Sequence, residues 1–322
     1  MSGVRLRPYA WDADEAGVHA LWLRAFGPSW PISRQGLRRV LNARGTFRSG
    51  DHLVVAAGRA VVGFVATQCR PPDGGSPSVA PDGSILVVAV DPAYRRRGIG
   101  YALVETAVAS LRARGARRVR LGSGGVSYFW PGVPDDPPES WPFFAGAGWE
   151  ETEVSHDLLL PLTGYAPPPA VLDRARGQGV AVGPAGAADA PAVLAFERVH
   201  FPSWLAGYER ALAAAPGDVV VARGAGGQIL GAALAAGPRP AGRAPLLWTG
   251  LLGPDTGSIG AVGVAPEARG RGTGLALVAV ASGVARARGA ARCLAGWTWL
   301  VDWYGQLGYR PWRRYRMSVR TL

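Results

Sequence analysis

The phrase Arg-x-x-Gly-x-Gly is written twice in this chain, 174 positions apart. The copies are Arg95, Arg96, Arg97, Gly98, Ile99, Gly100 and Arg269, Gly270, Arg271, Gly272, Thr273, Gly274. Each copy follows a valine-rich run that ends in x-Pro (87–92 and 261–266), and an apolar helical stretch closing on Arg-x-Arg-Gly-Ala follows each (112–116 and 286–290). The repeated unit therefore reads as strand, basic glycine turn, helix. Such a turn brings backbone N–H groups and a helix N-terminus to one point, which suits a phosphate. Pro28-Ser29-Trp30 recurs as Pro202-Ser203-Trp204 at the same offset, so a whole domain is duplicated.

A chain of 322 residues, 48% of them hydrophobic, suffices for two cores of ordinary size. The expected division is a first domain at 1–163, a linker at 164–178 carrying Pro167, Pro168 and Pro169, and a second domain at 179–322. No stretch approaches the roughly 18 apolar residues of a membrane span, and the N-terminus lacks a signal-peptide core. Cys69 and Cys293 fall in different halves, outside any metal or redox spacing, which reads as two reduced thiols in a cytoplasmic protein. The net charge of +12 invites a nucleic-acid reading. The basic residues are all arginine and mostly dispersed, which points instead to compositional bias and a polyanionic ligand.

The two halves predict the same order of elements. In the first, an extended stretch at 3–7, helices to 25 and at 33–41, a hairpin at 53–57 and 61–67, a Gly/Pro-rich loop at 71–83, a strand at 85–90, the motif helix at 98–114 and a strand from 118. In the second, helices at 187–197 and 205–214, a hairpin at 219–223 and 229–235, a strand at 259–264, a helix to 288 and a strand at 292–297. Gly148-Trp149 matches Gly308-Tyr309 at an offset of 160, so the first half carries about 14 extra residues in the Trp/Pro/Asp segment 130–139. A dinucleotide fingerprint would want glycine where Leu103 and Leu277 stand, and a P-loop would need Gly-Lys-Ser/Thr, so both fail.

Val-x-Pro-x-x-Arg-x-x-Gly-x-Gly, an apolar helix, a strand and Tyr-x-x-x-Gly-Tyr together resemble the GCN5-related N-acetyltransferase (GNAT) superfamily, over nearly the whole chain and as a tandem. The resemblance implies an α/β (α+β) fold of two GNAT-like domains, each a mixed, mostly antiparallel sheet flanked by helices and splayed to admit acetyl-CoA. It implies that 269–274 and 95–100 cradle the CoA pyrophosphate, Gly272 and Gly98 letting the backbone approach closely and Arg271, Arg96 and Arg97 adding charge. Val262, Gly263 and Val264, with Val88 and Val90 in the first copy, would align the pantetheine and polarise the thioester carbonyl.

The same resemblance makes Tyr304 the acid that protonates departing CoA. Phe144 holds that place in the first half, so the second half is the expected catalytic one and the first a weak binder or scaffold. A base is harder to place, because neither central strand carries an acid. Asp302, Asp255 and His200 are the candidates. Trp297 and Trp299, with Asp255, Asp135 and Asp136, are the expected acceptor contacts, a stacking floor with acids for an amine or hydroxyls. Segments 128–134 and 297–304 also resemble tandem enzymes acting on glucosamine or glucosaminides, which implies a 2-amino group as acceptor. The Asn-x-x-Ala run of tandem mycothiol synthases is missing. An antibiotic, thiol-precursor or protein amine, or a non-catalytic acyl-CoA-binding scaffold, are the alternatives. Expected partners are a small-molecule amine, with no nucleic acid, membrane or metal, and a monomer or homodimer.

Overall fold

The computed structural model describes residues 3–41, 50–70, 82–122, 129–241 and 246–322. In chain order the first elements are β1 (Arg5–Pro8), α1 (Trp11–Ala25), α2 (Arg34–Leu41), β2 (His52–Ala57), β3 (Ala60–Arg70), β4 (Asp82–Val90), α3 (Ile99–Ala113), β5 (Arg118–Leu121), β6 (Val133–Pro134), α4 (Ser140–Gly146) and β7 (Glu153–Pro161). Then come α5 (Pro169–Gly177), β8 (Ala181–Pro184), α6 (Ala190–His200), α7 (Leu205–Ala214), β9 (Val219–Arg223), β10 (Ile229–Ala236), α8 (Thr249–Leu252) and β11 (Thr256–Val264). The chain ends with α9 (Thr273–Ala287), β12 (Arg292–Thr298), α10 (Val301–Gly305), β13 (Arg310–Met317) and β14 (Val319–Thr321). The loop expected at 71–83 falls mostly outside the described residues.

Contacts divide the chain into two compact units, Met1–Ser155 with Arg313–Leu322, and His156–Trp312. In unit 1 the strand order is β1-β2-β3-β4-β5-β14, antiparallel except for the β4–β5 pair. The strands of unit 2 run β8-β9-β10-β11-β12-β7, antiparallel except for β11–β12, in a sheet whose order continues to β13 and β6. The mixed, mostly antiparallel sheet implied for each half is therefore present twice. In each sheet the strand beside the parallel pair comes from beyond its own half of the duplication: the C-terminal β14 pairs with β5, and β7, which follows the first copy, pairs with β12. The stretch expected as a linker is helical at α5, because Pro168 and Pro169 stand before and at its first position, where a missing N–H costs nothing.

Period explains which faces are buried. In β9, Val219 and Val221 face α6 and α7, while Val220 and Ala222 face α9. The alternation is that of a central strand covered on both sides. In α3, Ile99, Leu103, Val104, Ala107, Val108 and Leu111 form the buried stripe against the sheet. Unit 1 adds an aromatic cluster in which Trp22 stacks on Trp130 (centroids 5.1 Å apart) and Trp30 meets Trp130 edge-on at 5.3 Å.

The first half of the segment 130–139 is thus core. Phe129, Trp130 and Val133 are buried, and β6 pairs with Tyr315 and Arg316. Tyr315, fully buried, packs against Trp30 at 6.3 Å. Tyr315→Ala should destabilise unit 1 by about 3–5 kcal/mol, the range for emptying an aromatic site. Chemical denaturation should show that loss together with faster amide exchange in 118–121, the strand that β14 covers.

Candidate functional site

In both units the parallel ladder stops halfway along the strand. β4 pairs with β5 only from Asp82↔Arg118 to Ile85↔Leu121, and β11 with β12 only from Thr256↔Arg292 to Ile259↔Ala295. Beyond those points, among the described residues, 86–90 and 260–264 present backbone groups with no ladder partner on that side. An unpaired strand edge needs hydrogen-bonding partners, and an extended ligand chain can supply them. A bulge marks the opening in unit 2: the β10 register shifts between Ala232 and Leu234, and Ala261 has φ +48°.

The glycine turn follows directly. Gly270 and Gly272 have φ +72° and +84°, and nothing lies within 4 Å of a Cβ placed on Gly270. Arg96 and Gly98 hold the matching positions of unit 1 at +60° and +78°, so an arginine there adopts the left-handed conformation that glycine takes in unit 2. Arg269 donates through Nε to the Val264 carbonyl (3.1 Å), and Arg95 does the same to Val90 (3.3 Å), so each ties the turn to the strand end. Arg95 also pairs with Glu139 at 2.7 Å, and Arg97 lies over the Tyr94 ring. Thr273, the first residue of α9, has a buried hydroxyl without a hydrogen-bond partner among the described residues, where unit 1 has Ile99.

Gly274 and Gly100 have a second explanation. A Cβ on Gly274 would lie 3.2 Å from the Trp303 ring, and one on Gly100 would lie 3.0 Å from Phe143. The missing side chain thus admits the aromatic that docks the next helix. It also fixes the correspondence between units, because Tyr304 follows Trp303 as Phe144 follows Phe143. Tyr304 packs edge-on to Trp303 (4.9 Å) and Tyr309 (5.5 Å), just as Phe144 packs on Phe143 (5.0 Å) and Trp149 (6.3 Å). Burial pushes the Tyr304 hydroxyl up to about 12, so it keeps its proton near neutrality.

The expected acids fare differently. Asp302 is exposed on α10, two residues before Tyr304. Asp255 stands before the first residue of β11, at the paired end, on the order of 15 Å along the strand from the opening at the usual rise per residue. The structure does not bring it to the opening. Asp135 and Asp136 belong to unit 1's core wall. Asp135 pairs with Arg314 at 2.6 Å and Arg316 at 2.9 Å; burial would raise its carboxyl, but those hydrogen bonds hold it below its ordinary value. Asp136 accepts from Ser29 (3.0 Å) and, through its carbonyl, from the Trp30 indole (2.5 Å). Both acids are accounted for by those contacts. Trp297 is half-buried with φ +52°, and its N–H donates to Asp157 (3.0 Å). Trp299 is 64% exposed in the link between β12 and α10, beside exposed Leu300. His200 is half-buried against Phe196 at 4.8 Å.

Two features escaped the sequence reading. Arg174 on α5 lays its stem over Gly272, 3.1 Å from a Cβ there, and reaches the Gly270 carbonyl at 3.5 Å. Glu197 on α6 is wholly buried; burial pushes its carboxyl up to about 8, and the Tyr208 hydroxyl only partly offsets this. Tyr208 donates to the Ala261 carbonyl at 2.6 Å.

The opening of unit 1 is narrowed by aromatic side chains among the described residues. A cavity of about 40 Å³ lies beside 85–88, walled by Phe26, Trp130 and Phe144, room for a few waters at roughly 10–15 Å³ each. No group of three metal-ligating side chains and no helix long and apolar enough to cross a membrane occurs among the described residues.

The raised pKa of Glu197 makes a pH-dependent stability. Below the ordinary value of 4.5 both folded and unfolded chains carry the proton, and the contribution is fully present. As pH rises toward 8 the unfolded carboxyl ionises first, and stability of order 3–5 kcal/mol is lost. Melting of wild type and Glu197→Gln at pH 5 and pH 9 should show the variant gaining on wild type at the higher pH; a constant difference would mean an ordinary carboxyl.

The model of the Acetyltransferase (GNAT) family matches residues 16–125 and 191–309, one region in each half. A mycothiol acetyltransferase of Thermobispora bispora is 36% identical over 124 residues, 37% of this chain and 40% of that one. Among solved structures, a GCN5-related glucosamine N-acetyltransferase region of a fungal multi-domain GH3 β-N-acetylglucosaminidase covers 98% of this chain with a TM-score of 0.87 and 30% identity. A GCN5-related N-acetyltransferase from Sphaerobacter thermophilus covers 100% of this chain and 96% of its own at 18% identity and a TM-score of 0.71, a likeness of fold. The match spans about two fifths of the length of the first two proteins. With both halves matched, the chain belongs to the Acetyltransferase (GNAT) family as a tandem member.

Proposed function

We propose that the chain is an acetyl-CoA-dependent N-acetyltransferase whose single active site lies in unit 2, acting on the 2-amino group of glucosamine or a glucosaminide. The observation that carries this reading is the placement of Tyr304. It is a buried phenol that keeps its proton, docked through Trp303 on the glycine turn of the one unit whose opening is not walled in by the 129–134 segment.

The residues of unit 2 fit the donor. Left-handed Gly270 and Gly272 expose backbone N–H groups beside the start of α9, where the partial positive charge favours phosphate. The unpartnered Thr273 hydroxyl adds a donor, and Arg271 and Arg174 supply charge at the same turn. Gly260 to Val264 offer a free edge to the pantetheine arm, and an N–H there would polarise the thioester carbonyl. Acetyl-CoA, when bound, supplies an activated acyl thioester. Tyr304 then holds the proton that the departing thiolate takes up.

The amino-sugar acceptor is supported by the 30% identity and close superposition with the glucosamine N-acetyltransferase region. Trp299 is exposed after β12 and provides an aromatic face for a sugar ring. The mycothiol acetyltransferase likeness favours a second acceptor class, the amine of a thiol precursor.

Thiol release from acetyl-CoA should be measured over a panel of glucosamine, glucosaminides, aminoglycosides and thiol-precursor amines. Stimulation by glucosamine or a glucosaminide is expected; binding of donor without turnover on any amine would leave a scaffold. Tyr304→Phe should lower kcat about 10²-fold with little change in donor affinity, and a fully active variant would remove the tyrosine from the reaction. Calorimetry should give one acetyl-CoA per chain. Arg174→Ala should weaken that binding roughly 3- to 10-fold and lessen its salt dependence.

A further inference from the structure

No hydrogen bond holds the Tyr304 hydroxyl among the described residues. Two edge-on rings flank it instead, Trp303 at 4.9 Å and Tyr309 at 5.5 Å. A phenol held by packing points where its neighbouring rings let it, so whatever fixes those rings aims the hydroxyl. Trp303 is fixed by the first turn of α9, where Gly274 leaves room for the indole. Tyr309 is fixed by hydrogen bonds. Its hydroxyl lies 2.8 Å from Ser282 Oγ, and Ser282 commits its own hydrogen to the Val278 carbonyl at 2.8 Å, so the phenol donates. The Cys293 thiol on β12 is the other polar partner of that hydroxyl. Ser282, Cys293 and Tyr309 are all buried. A hydroxyl bonded on two sides in the interior cannot turn without losing bonds that no water replaces.

The duplication separates this pin from ordinary packing. Gly100 admits Phe143 as Gly274 admits Trp303, so the clamp at the start of the helix is common to both units. The polar part is not. At the offset of 174, Val108 stands for Ser282 and Val119 for Cys293, and Trp149 stands for Tyr309. All three are buried, so the same place in the core packs with neither hydroxyl nor thiol. The indole N–H of Trp149 has no hydrogen-bond partner among the described residues. Buried hydrogen bonds add little net stability over apolar packing, but they do fix orientation. The pin and the tyrosine therefore occur together in unit 2, and unit 1, with Phe144, has no hydroxyl to aim.

We infer that Tyr309, pinned to Ser282 on α9, is a positioning residue that aims the Tyr304 hydroxyl at the departing sulfur. The inference rests on unit 2 being the acetyltransferase proposed above. Gly274 lies in the first turn of α9, and Ser282 is eight residues further on, about 12 Å along the axis at the usual rise. The helix that begins at the turn proposed to hold the donor phosphates thus also carries both contacts that set the proton donor. One rigid element keeps the two ends of the site in register. As the amine nitrogen bonds to the acetyl carbon and the carbon–sulfur bond breaks, the thiolate takes the Tyr304 proton. Solvent takes the proton that the amine loses and returns one to Tyr304, so protons balance and nothing is oxidised. Proton transfer needs hydrogen-bond reach, and a small displacement of the donor is costly. Tyr309 keeps its own proton and touches no reacting atom.

The test uses the full chain with acetyl-CoA and the amine of fastest turnover, measuring kcat and KM. Tyr309→Phe removes one hydroxyl and keeps the ring, and it should lower kcat about 10-fold with the KM for acetyl-CoA roughly unchanged. Ser282→Ala should do the same. In the Tyr304→Phe background the hydroxyl of Tyr309 has nothing to aim, so Tyr304→Phe with Tyr309→Phe should be no slower than Tyr304→Phe alone. Ser282→Ala carries the test if Tyr309→Phe does not fold, with melting temperature and acetyl-CoA affinity as controls. A folded Tyr309→Phe or Ser282→Ala with wild-type kcat overturns the pin alone. So does a loss of the same size in the Tyr304→Phe background, which would come from the fold and not from the aim of the tyrosine. A Tyr304→Phe enzyme as fast as wild type removes the acid and its pin together. A wild-type protein that acetylates no amine overturns the proposed function itself.

Discussion

Everything at the candidate site depends on a ladder that ends early. In a parallel pair each backbone group finds a partner for as long as the strands stay together. Here the last matched pairs are Ile85 with Leu121 and Ile259 with Ala295. Past them the strands must separate, and the free edge of β11 becomes the surface on which an extended ligand can complete the sheet. The glycine turn sits at the end of that edge because the same strand runs into it, and Arg269 holds the junction by bonding Val264. One topological feature therefore sets both the groove and the position of the glycine turn at its end.

The two copies diverged around this common frame by exchanging bulk. Where unit 2 has Phe201 over Gly263, a Cβ on that glycine being 2.4 Å from the ring, unit 1 has Gly27 and Ala89 at the matching positions. The volume moved from helix end to strand. Unit 1 also gained the 130–139 segment, and Trp130 entered the space beside the opening, stacking on Trp22 and meeting Phe26 at 5.2 Å. A groove packed with tryptophan gains hydrophobic stability and loses room for a ligand. Asp135 and Asp136, which look like acceptor contacts in the sequence, follow from the same event. They fasten the inserted segment to Arg314, Arg316, Ser29 and Trp30.

What was legible in the sequence was local. Strand, turn and helix around each motif are set by period and by glycine, and 205–214 and 219–223 agree with the helix and strand found there residue for residue. Pairing between distant segments was not legible, because β14 with β5 and β7 with β12 are joined by nothing in the local pattern. α5 was hidden by its prolines, which mark a helix start as readily as a linker. Glu197 was hidden differently. Between Phe196 and Arg198 a single glutamate looks like the polar side of an amphipathic helix. Only the crossing of α7 over it, bringing Tyr208, makes it interior.

The exchange of closing strands bears on why a unit without the tyrosine persists. Independent repeats could lose one copy and leave the other folded. Here the strand that covers β12 is β7, encoded just after Trp149, and the strand that covers β5 is β14, encoded after Tyr309. Cutting the chain between the copies would leave β5 and β12 as open edges over the buried cores around Val119 and Cys293. Each copy is thus held in the protein by the strand it gives away, whatever its own groove can bind. What unit 2 takes from the first copy is β7, a strand outside unit 1's sheet, so that demand places no constraint on unit 1's opening.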